Sequence, residues 1–284
     1  MEELISGFGL IEGPVYDPTR GLIFSDVING GVHCLTDDGN AEIVVPHRRG
    51  IGGIVQHADG GLIVSGKNIA YKAPGDAPTR VLLEPEAALG GLGFNDITTD
   101  AAGRVYAGSL AFRPVAEGDE PKPGHLYVID LDGTARRLAD GILLTNGLGF
   151  SPDGNKLYHS DSLRHQVLVY DVQENGNVGP PSPFATIEDG IPDGLAVSED
   201  GAVWVAVAHG SAVKVFEPDG TERQTIPVPL PMVTSLCFGG ADRRDLYIVT
   251  GSIGSGREDA GTVYRLRVDV AGLPVAPARI KLPG

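Results

Sequence analysis

Four residues with oxygen-bearing side chains recur at one place in a repeated pattern: Glu12, Asn95, Asn146 and Asp193. Each opens a short apolar run that ends in a turn: "EGPVYDPTRG", "NDITTDAAG", "NGLGFSPDG" and "DGLAVSEDG". Asn95, Asn146 and Asp193 stand eight residues ahead of Gly103, Gly154 and Gly201, and Gly52 stands eight ahead of Gly60. Glu12 stands nine ahead of Gly21, which one inserted turn residue would explain, and Thr234 stands eight ahead of Asp242. A lone Asn, Asp or Glu before glycine ordinarily marks only a turn. Four of them at one offset point to a shared site. Two carboxylates and two carboxamides offer hard oxygen donors, with no imidazole or thiolate among them. That set suits calcium, magnesium or manganese better than a thiolate-type zinc site. It would also give Asp193 the partner that a buried carboxylate requires.

The elements that would gather these residues are short strands. Six stretches have the form strand, tight turn, strand rich in Val, Ile, Leu and Tyr: 12–26, 52–66, 95–109, 146–161, 193–207 and 234–250. A third strand follows in most copies, as in "GVHCLT", "HLYVID", "QVLVYD", "AVKVFE" and "TVYRLR". A more polar fourth strand fits before the next copy. The turns fall near residues 21, 60, 103, 154, 201 and 243, a spacing of roughly 40–50 residues that matches propeller blades. The expected fold is therefore all-β: a six-bladed β-propeller of four-stranded antiparallel blades around a central channel, one domain over residues 1–284. First strands line such a channel, so equivalent positions form a ring: Glu12, Gly52, Asn95, Asn146, Asp193 and Thr234. The two ends, 1–10 and 273–282, are expected to meet in one blade and close the ring.

Composition agrees with a turn-rich β protein. The 284 residues include 41 glycines and 21 prolines, and 42% are hydrophobic. The net charge of −15 disfavours nucleic acid and anionic membranes as partners. Cys34 and Cys237 are too far apart in sequence to read as a disulfide framework or a zinc spacing. The start, "MEELISGFGL", has no signal-peptide pattern, and no apolar run approaches a membrane span. A cytoplasmic protein, monomeric or a small homo-oligomer, is the default expectation.

The ordered set "IEGPVYDP", "GFNDITTD", "TNGLGFSPDGNKLYHSDS", "IPDGLAVSEDGAVWVA" and "VTSLCFGGADRRDLYIVT" resembles the senescence marker protein 30 family, also called the gluconolactonase or regucalcin-like family. The match runs through nearly the whole chain. The resemblance implies a six-bladed propeller and a divalent metal at the channel mouth, usually calcium, with magnesium, manganese or zinc as other possibilities. By motif the metal ligands correspond to Glu12, Asn146 and Asp193. Asn95 corresponds to a residue that binds the metal directly or through water or substrate. Many members hydrolyse lactones, and relatives of the same architecture hydrolyse organophosphates. One departure stands out. Sugar-lactone hydrolases of the family commonly carry Arg-Phe-Asn-Asp where this chain has Gly93-Phe94-Asn95-Asp96, and the acidic residue expected within "AGSLAFRPV" is missing.

The chemistry that follows is hydrolysis of a lactone or related ester. Asp193 would act as general base on water, Glu12 and Asn146 would hold the metal, and Asn95 would orient substrate or water. Candidate substrate contacts are Phe94, Asn95, Phe112, Arg113, His209 and Asp161. Phe94, Leu110 and Phe112 would suit a less polar ligand, or serve as packing. Arg113, in the long loop 110–124, would replace the missing arginine or remain a solvated charge. The loop 251–261 is the other long candidate for selectivity. His209 would touch substrate, shuttle a proton or occupy a turn. Asp161 and Arg164 would reach the site or pair with each other, and Asp96 would support Asn95. No G-x-S-x-G, H-E-x-x-H, phosphate-loop or G-x-G-x-x-G motif occurs, so a covalent serine mechanism is not expected, with Ser109 and Ser162 left as contact candidates. The rival readings are an organophosphate hydrolase or lyase on the same site, and a non-enzymatic metal-binding propeller.

Overall fold

The computed structural model describes every residue except 37, 47, 76, 115–117 and 284. The second strand of each repeat is the most apolar, and the structure explains why. Val203–Ala208 is buried along its whole length, and Lys156–Asp161 along all but its first residue. Such a strand has another blade against each face, so both of its sides must be apolar. Outer strands are the reverse: Glu222–Pro227 is almost wholly exposed. The core accordingly lies between blades rather than at a common centre. One such layer packs Leu195, Val197, Val203 and Val205 against Tyr158 and Val167 of the preceding blade.

Four blades are separate four-stranded antiparallel sheets, and the last two are joined by a single bridge between Ala208 and Met232. The six-bladed propeller read from the repeats is the observed fold. The channel-lining strands are Ile11–Asp17, Ile54–Gln56, Gly93–Thr99, Thr145–Phe150, Ile191–Val197 and Met232–Gly239. Short 3-10 turns, Ala87–Leu89 and Ser162–Arg164, interrupt the strand pattern.

The turns are built by aspartate side chains. Asp100 Oδ1 accepts the N–H groups of Gly103 and Arg104, both at 2.9 Å. Asp17 Oδ1 likewise accepts Thr19 N–H at 2.8 Å. Each aspartate fixes where one strand ends and the next begins, and therefore which residue of the first strand reaches the axis.

Only one end of the chain closes a blade. Glu2–Phe8 pairs antiparallel with Gly261–Arg267 and forms the outer strand of blade six. Residues 273–282, expected in the same blade, instead cross the lower end of the channel. Leu273 N–H bonds Val197 O at 2.8 Å, Ala278 N–H bonds Gln56 O at 2.8 Å, and Lys281 N–H bonds Leu131 O at 2.8 Å. The outer position of blade six is already filled by the N-terminal strand. Pro274 and Pro277 also lack the N–H that a continuous ladder needs.

Phe8 anchors the closing strand, buried and edge-on to Phe24 at 5.1 Å between ring centres. Phe8→Ala should lower the unfolding free energy by about 3–5 kcal/mol. Urea denaturation would measure it, and a loss below about 1 kcal/mol would mean the N-terminal strand does not secure the ring.

Candidate functional site

The ring positions are set from the turns. In five blades a turn carbonyl accepts the N–H three residues on: Asp17 from Arg20, His57 from Gly60, Asp100 from Gly103, Ser151 from Gly154 and Ser198 from Gly201. Counting back five residues from each of those carbonyls gives Glu12, Gly52, Asn95, Asn146 and Asp193. Glu12 is thus in phase with the others. Its apparent extra residue came from counting at Gly21, whereas the structural equivalent of Gly103 is Arg20. Thr234 differs, because its hydroxyl donates to the carbonyls of Ile11 and Val249, leaving it no proton to offer the axis.

Backbone bulges turn these side chains inward. Pairing skips between Glu12 and Val15, Phe94 and Ile97, Thr145 and Leu148, and Pro192 and Leu195. An extra residue in one strand bends it and re-aims its side chains. The bulges carry Asn95, Asn146 and Asp193, and one follows Glu12 directly.

Charge is the dominant property of the site. Glu12 and Asp193 are 9% and 5% exposed. Burial, then the neighbouring Asp193 and Asp96 charges, raise the Glu12 carboxyl well above the usual range. Burial and the Asp96 charge do the same to Asp193. Asp96 itself is pushed up to about 7 by burial. It lies one step further along its strand and lines a cavity of about 590 Å³ in the channel, together with Val15, Ile97, Leu148 and Leu195. Among the described residues no cation offsets this charge at Glu12 or Asp193. Asp193 Oδ1 is buried without a hydrogen-bond partner.

The carboxamides are held in defined orientations. Ser162 Oγ donates its one proton to Pro192 O at 2.6 Å, so it accepts from Asn146 Nδ2 at 2.8 Å. That fixes Asn146 with its oxygen toward the ring. Asn95 Nδ2 donates to Thr145 O at 2.8 Å and to Asn146 Oδ1. The Asn95 oxygen therefore lies over Gly52, where a Cβ would stand 2.0 Å from it. The ring's only glycine leaves room for its neighbour's carbonyl group.

No three His, Cys, Asp or Glu side chains among the described residues form a metal cluster. Any cation here must use the carboxamides as well as the two carboxylates. The donor chemistry fits a hard divalent ion: all-oxygen ligands, two uncompensated buried acids, and an orphaned Asp193 oxygen.

The remaining candidates separate clearly. Phe94 is 2% exposed and edge-on to Tyr127 in the layer between blades two and three, so its ring is core rather than a substrate surface. Phe112 is also buried. Asp161 is fully buried and accepts from Leu143 N–H, Leu144 N–H and the Arg164 guanidinium, which makes it a loop clamp and not a substrate contact. Arg113 is exposed, its backbone N–H donating to Asp119 Oδ2 at 2.9 Å. Residues 115–117 of its loop lie outside the described residues. His209 is exposed in a left-handed turn, φ 63°. Ser109 Oγ accepts His125 N–H at 2.9 Å and braces its own hairpin.

Three supports escaped the sequence reading. Ser162, expected as a substrate contact, instead orients Asn146. Ser65 Oγ accepts the N–H groups of Gly52 and Gly53 at 3.2 and 2.8 Å. His159, fully buried, meets Thr145 Oγ1 at 2.6 Å behind the carbonyl that holds Asn95. For Ser65 a signal existed: most second strands carry a hydroxyl near their end, at Ser25, Ser65, Ser109, Ser160 and Thr250.

The fold is that of a known class. Residues 10–252 match the model of the SMP-30/Gluconolactonase/LRE-like region, and the chain belongs to that family. It is 30% identical over 95% of both chains to pentonolactonase XacC of Haloferax volcanii. Solved structures share the fold. A luciferin-regenerating enzyme superposes with a TM-score of 0.88 at 24% identity, covering 98% of this chain and 99% of that one. The calcium-binding protein regucalcin of Agrobacterium tumefaciens superposes with a TM-score of 0.85 at 21% identity, covering 98% and 96%.

Two outcomes follow from the packing. Gly52→Ala should expel the Asn95 carboxamide from the ring while leaving the fold intact, visible in a crystal structure of the variant; an unmoved Asn95 would contradict the close approach. Burial pushes the His159 imidazole down to about 3. The unfolded chain then takes up a proton near its ordinary pKa of about 6.5 that the folded chain refuses, so stability falls as pH drops below that value. His159→Gln should show a shallower fall in Tm between about pH 7 and 4 than the wild type. Parallel curves would mean that His159 titrates alike in both states.

Proposed function

We propose that this protein is a divalent-metal-dependent hydrolase of lactones. The observation that carries the reading is the pair of buried carboxylates, Glu12 and Asp193, with no counter-cation and no partner for Asp193 Oδ1 among the described residues. Support comes from the family, which includes the pentonolactonase relative and the calcium-binding regucalcin.

Glu12, Asn146 and Asp193 would hold the metal, with calcium the best fit to an all-oxygen set. A bound divalent ion supplies polarisation of the lactone carbonyl and a lowered pKa for water. Asp193, beside the carbonyl that the ring would hold, accepts the proton of the attacking water. Water oxygen bonds to the carbonyl carbon, the ring C–O bond breaks, and the departing ring oxygen takes up the proton. Asn95, held by Thr145 O, keeps its carbonyl oxygen over Gly52 and orients the substrate or water at the ring. The bulged strands fix these groups without rearrangement, so little energy goes into organising them at reaction.

The test is turnover of a lactone panel by metal-stripped protein with and without calcium, manganese or zinc. Metal should restore hydrolysis and raise Tm, since a ligand bound only by the folded state stabilises it. Asp193→Ala should lower kcat by at least about 100-fold. Unchanged turnover in that variant would remove the general-base role. Metal binding with no hydrolysis of any lactone would replace the enzyme reading with a binding one.

A further inference from the structure

Arg48 lies in the connection from blade one to blade two, four residues before Gly52. Its guanidinium is half-buried and held entirely by neutral groups. Nη2 donates to Ser65 O at 3.2 Å, Asn68 O at 3.0 Å and Asn68 Oδ1 at 2.9 Å. Nε is buried without a partner. Among the described residues Arg48 forms no ion pair, and burial lowers its pKa, opposed only by the field of Glu84. Glu84 lies one residue further out, accepting from Asn68 Nδ2 at 3.1 Å, so the guanidinium's direct partners are carbonyl oxygens and a place for an anion in contact with it stays open.

Its position places that need beside the ring. Ser65, whose carbonyl takes the guanidinium, also braces Gly52 and Gly53 through its hydroxyl. The next residue, Gly66, is bridged to Phe94, with Phe94 N–H on Gly66 O at 2.7 Å. A Cβ at Gly93 would stand 2.6 Å from that same Gly66 O, and one at Gly66 would stand 2.8 Å from Gly50 O. Residues 48–50, 65–66 and 93 are thus packed together at one corner of the mouth. Position 93 has no room for a side chain, and the cation at this corner is Arg48. Arg49 turns away, its Cγ 2.9 Å from where a Cβ at Gly30 would stand.

Resting on the lactonase reading, we propose that Arg48 is a specificity residue that binds an anionic substituent, a carboxylate or sulfonate, on the lactone held at the ring. The guanidinium meets that group through Nη1, the terminal nitrogen its carbonyl contacts leave free, while Asn68 and Ser65 keep it pointed. A charge-assisted contact of this kind separates charged from neutral substrates by about 10–100-fold.

The experiment compares D-glucaro-1,4-lactone with D-glucono-1,4-lactone, which differ only in a carboxylate against a hydroxymethyl group. Wild type should favour the charged lactone in kcat/KM, through KM. Arg48→Gln should reduce that ratio by roughly tenfold or more, and Arg48→Lys should recover part of it. A ratio unchanged by Arg48→Gln overturns the proposal, as does a wild type that prefers the neutral lactone. If neither lactone is hydrolysed, the lactonase reading fails separately. Calorimetric binding of glucarate and gluconate to wild type and Arg48→Gln then decides the Arg48 assignment: selective loss of glucarate binding supports it, and equal binding by both proteins ends it.

Discussion

Two carboxylates buried close to one another, with no cation against them among the described residues, are the condition around which this propeller is organised. Glu12 and Asp193 come from the first and fifth blades and are brought together only when the ring closes. Their mutual repulsion and desolvation work against that closure. The surrounding structure over-determines their position through bulged strands, a glycine that admits the Asn95 oxygen, and a serine that fixes the Asn146 amide. A site built this way is poised for a positive charge before any ligand arrives. The same surroundings leave the neutral donors no freedom to turn away from it.

Stability is supplied elsewhere. Apolar layers between blades hold the second strands on both faces, and the aspartate-built turns set strand lengths. The ring can therefore carry uncompensated charge and unsatisfied polar atoms without the fold depending on them. Blade four shows the division most plainly. Leu157 and Leu168 belong to an ordinary apolar layer, while His159, two residues beyond Leu157 on the same strand, and Thr145 on the strand paired with it support Asn95 from behind.

Much of this was legible from residues alone. The six repeats announced the blades because a short strand, a tight turn and a second apolar strand must recur wherever a blade recurs. Glu12, Asn95, Asn146 and Asp193 stood out because the turn fixes the register, and register fixes which residue meets the axis. What stayed hidden was whatever depends on side-chain direction and distant contacts. Phe94 read equally as a ligand surface or as packing, and alternation along the strand, which sends adjacent residues to opposite sides, puts it in the core. Asp161 was open to site contact or to pairing with Arg164, and it pairs; nothing in sequence shows the Leu143 and Leu144 amides that also claim it. The destination of residues 273–282 was also unreadable, since the partner that displaces them from blade six is the other end of the chain.

The crossing of the channel by that segment ties together parts that the blade order keeps apart. Leu273 is fastened to blade five, Ala278 to blade two and Lys281 to blade three, while the N-terminal strand fastens blade six. A closed ring ordinarily has one seam at which it can open. Here the segment spans the ring like a chord, so parting that seam still leaves blades two, three and five bound to one another. Local opening is thereby directed to the outer, exposed strands, and hydrogen exchange along the channel-lining strands would report opening of the whole ring rather than of a single blade.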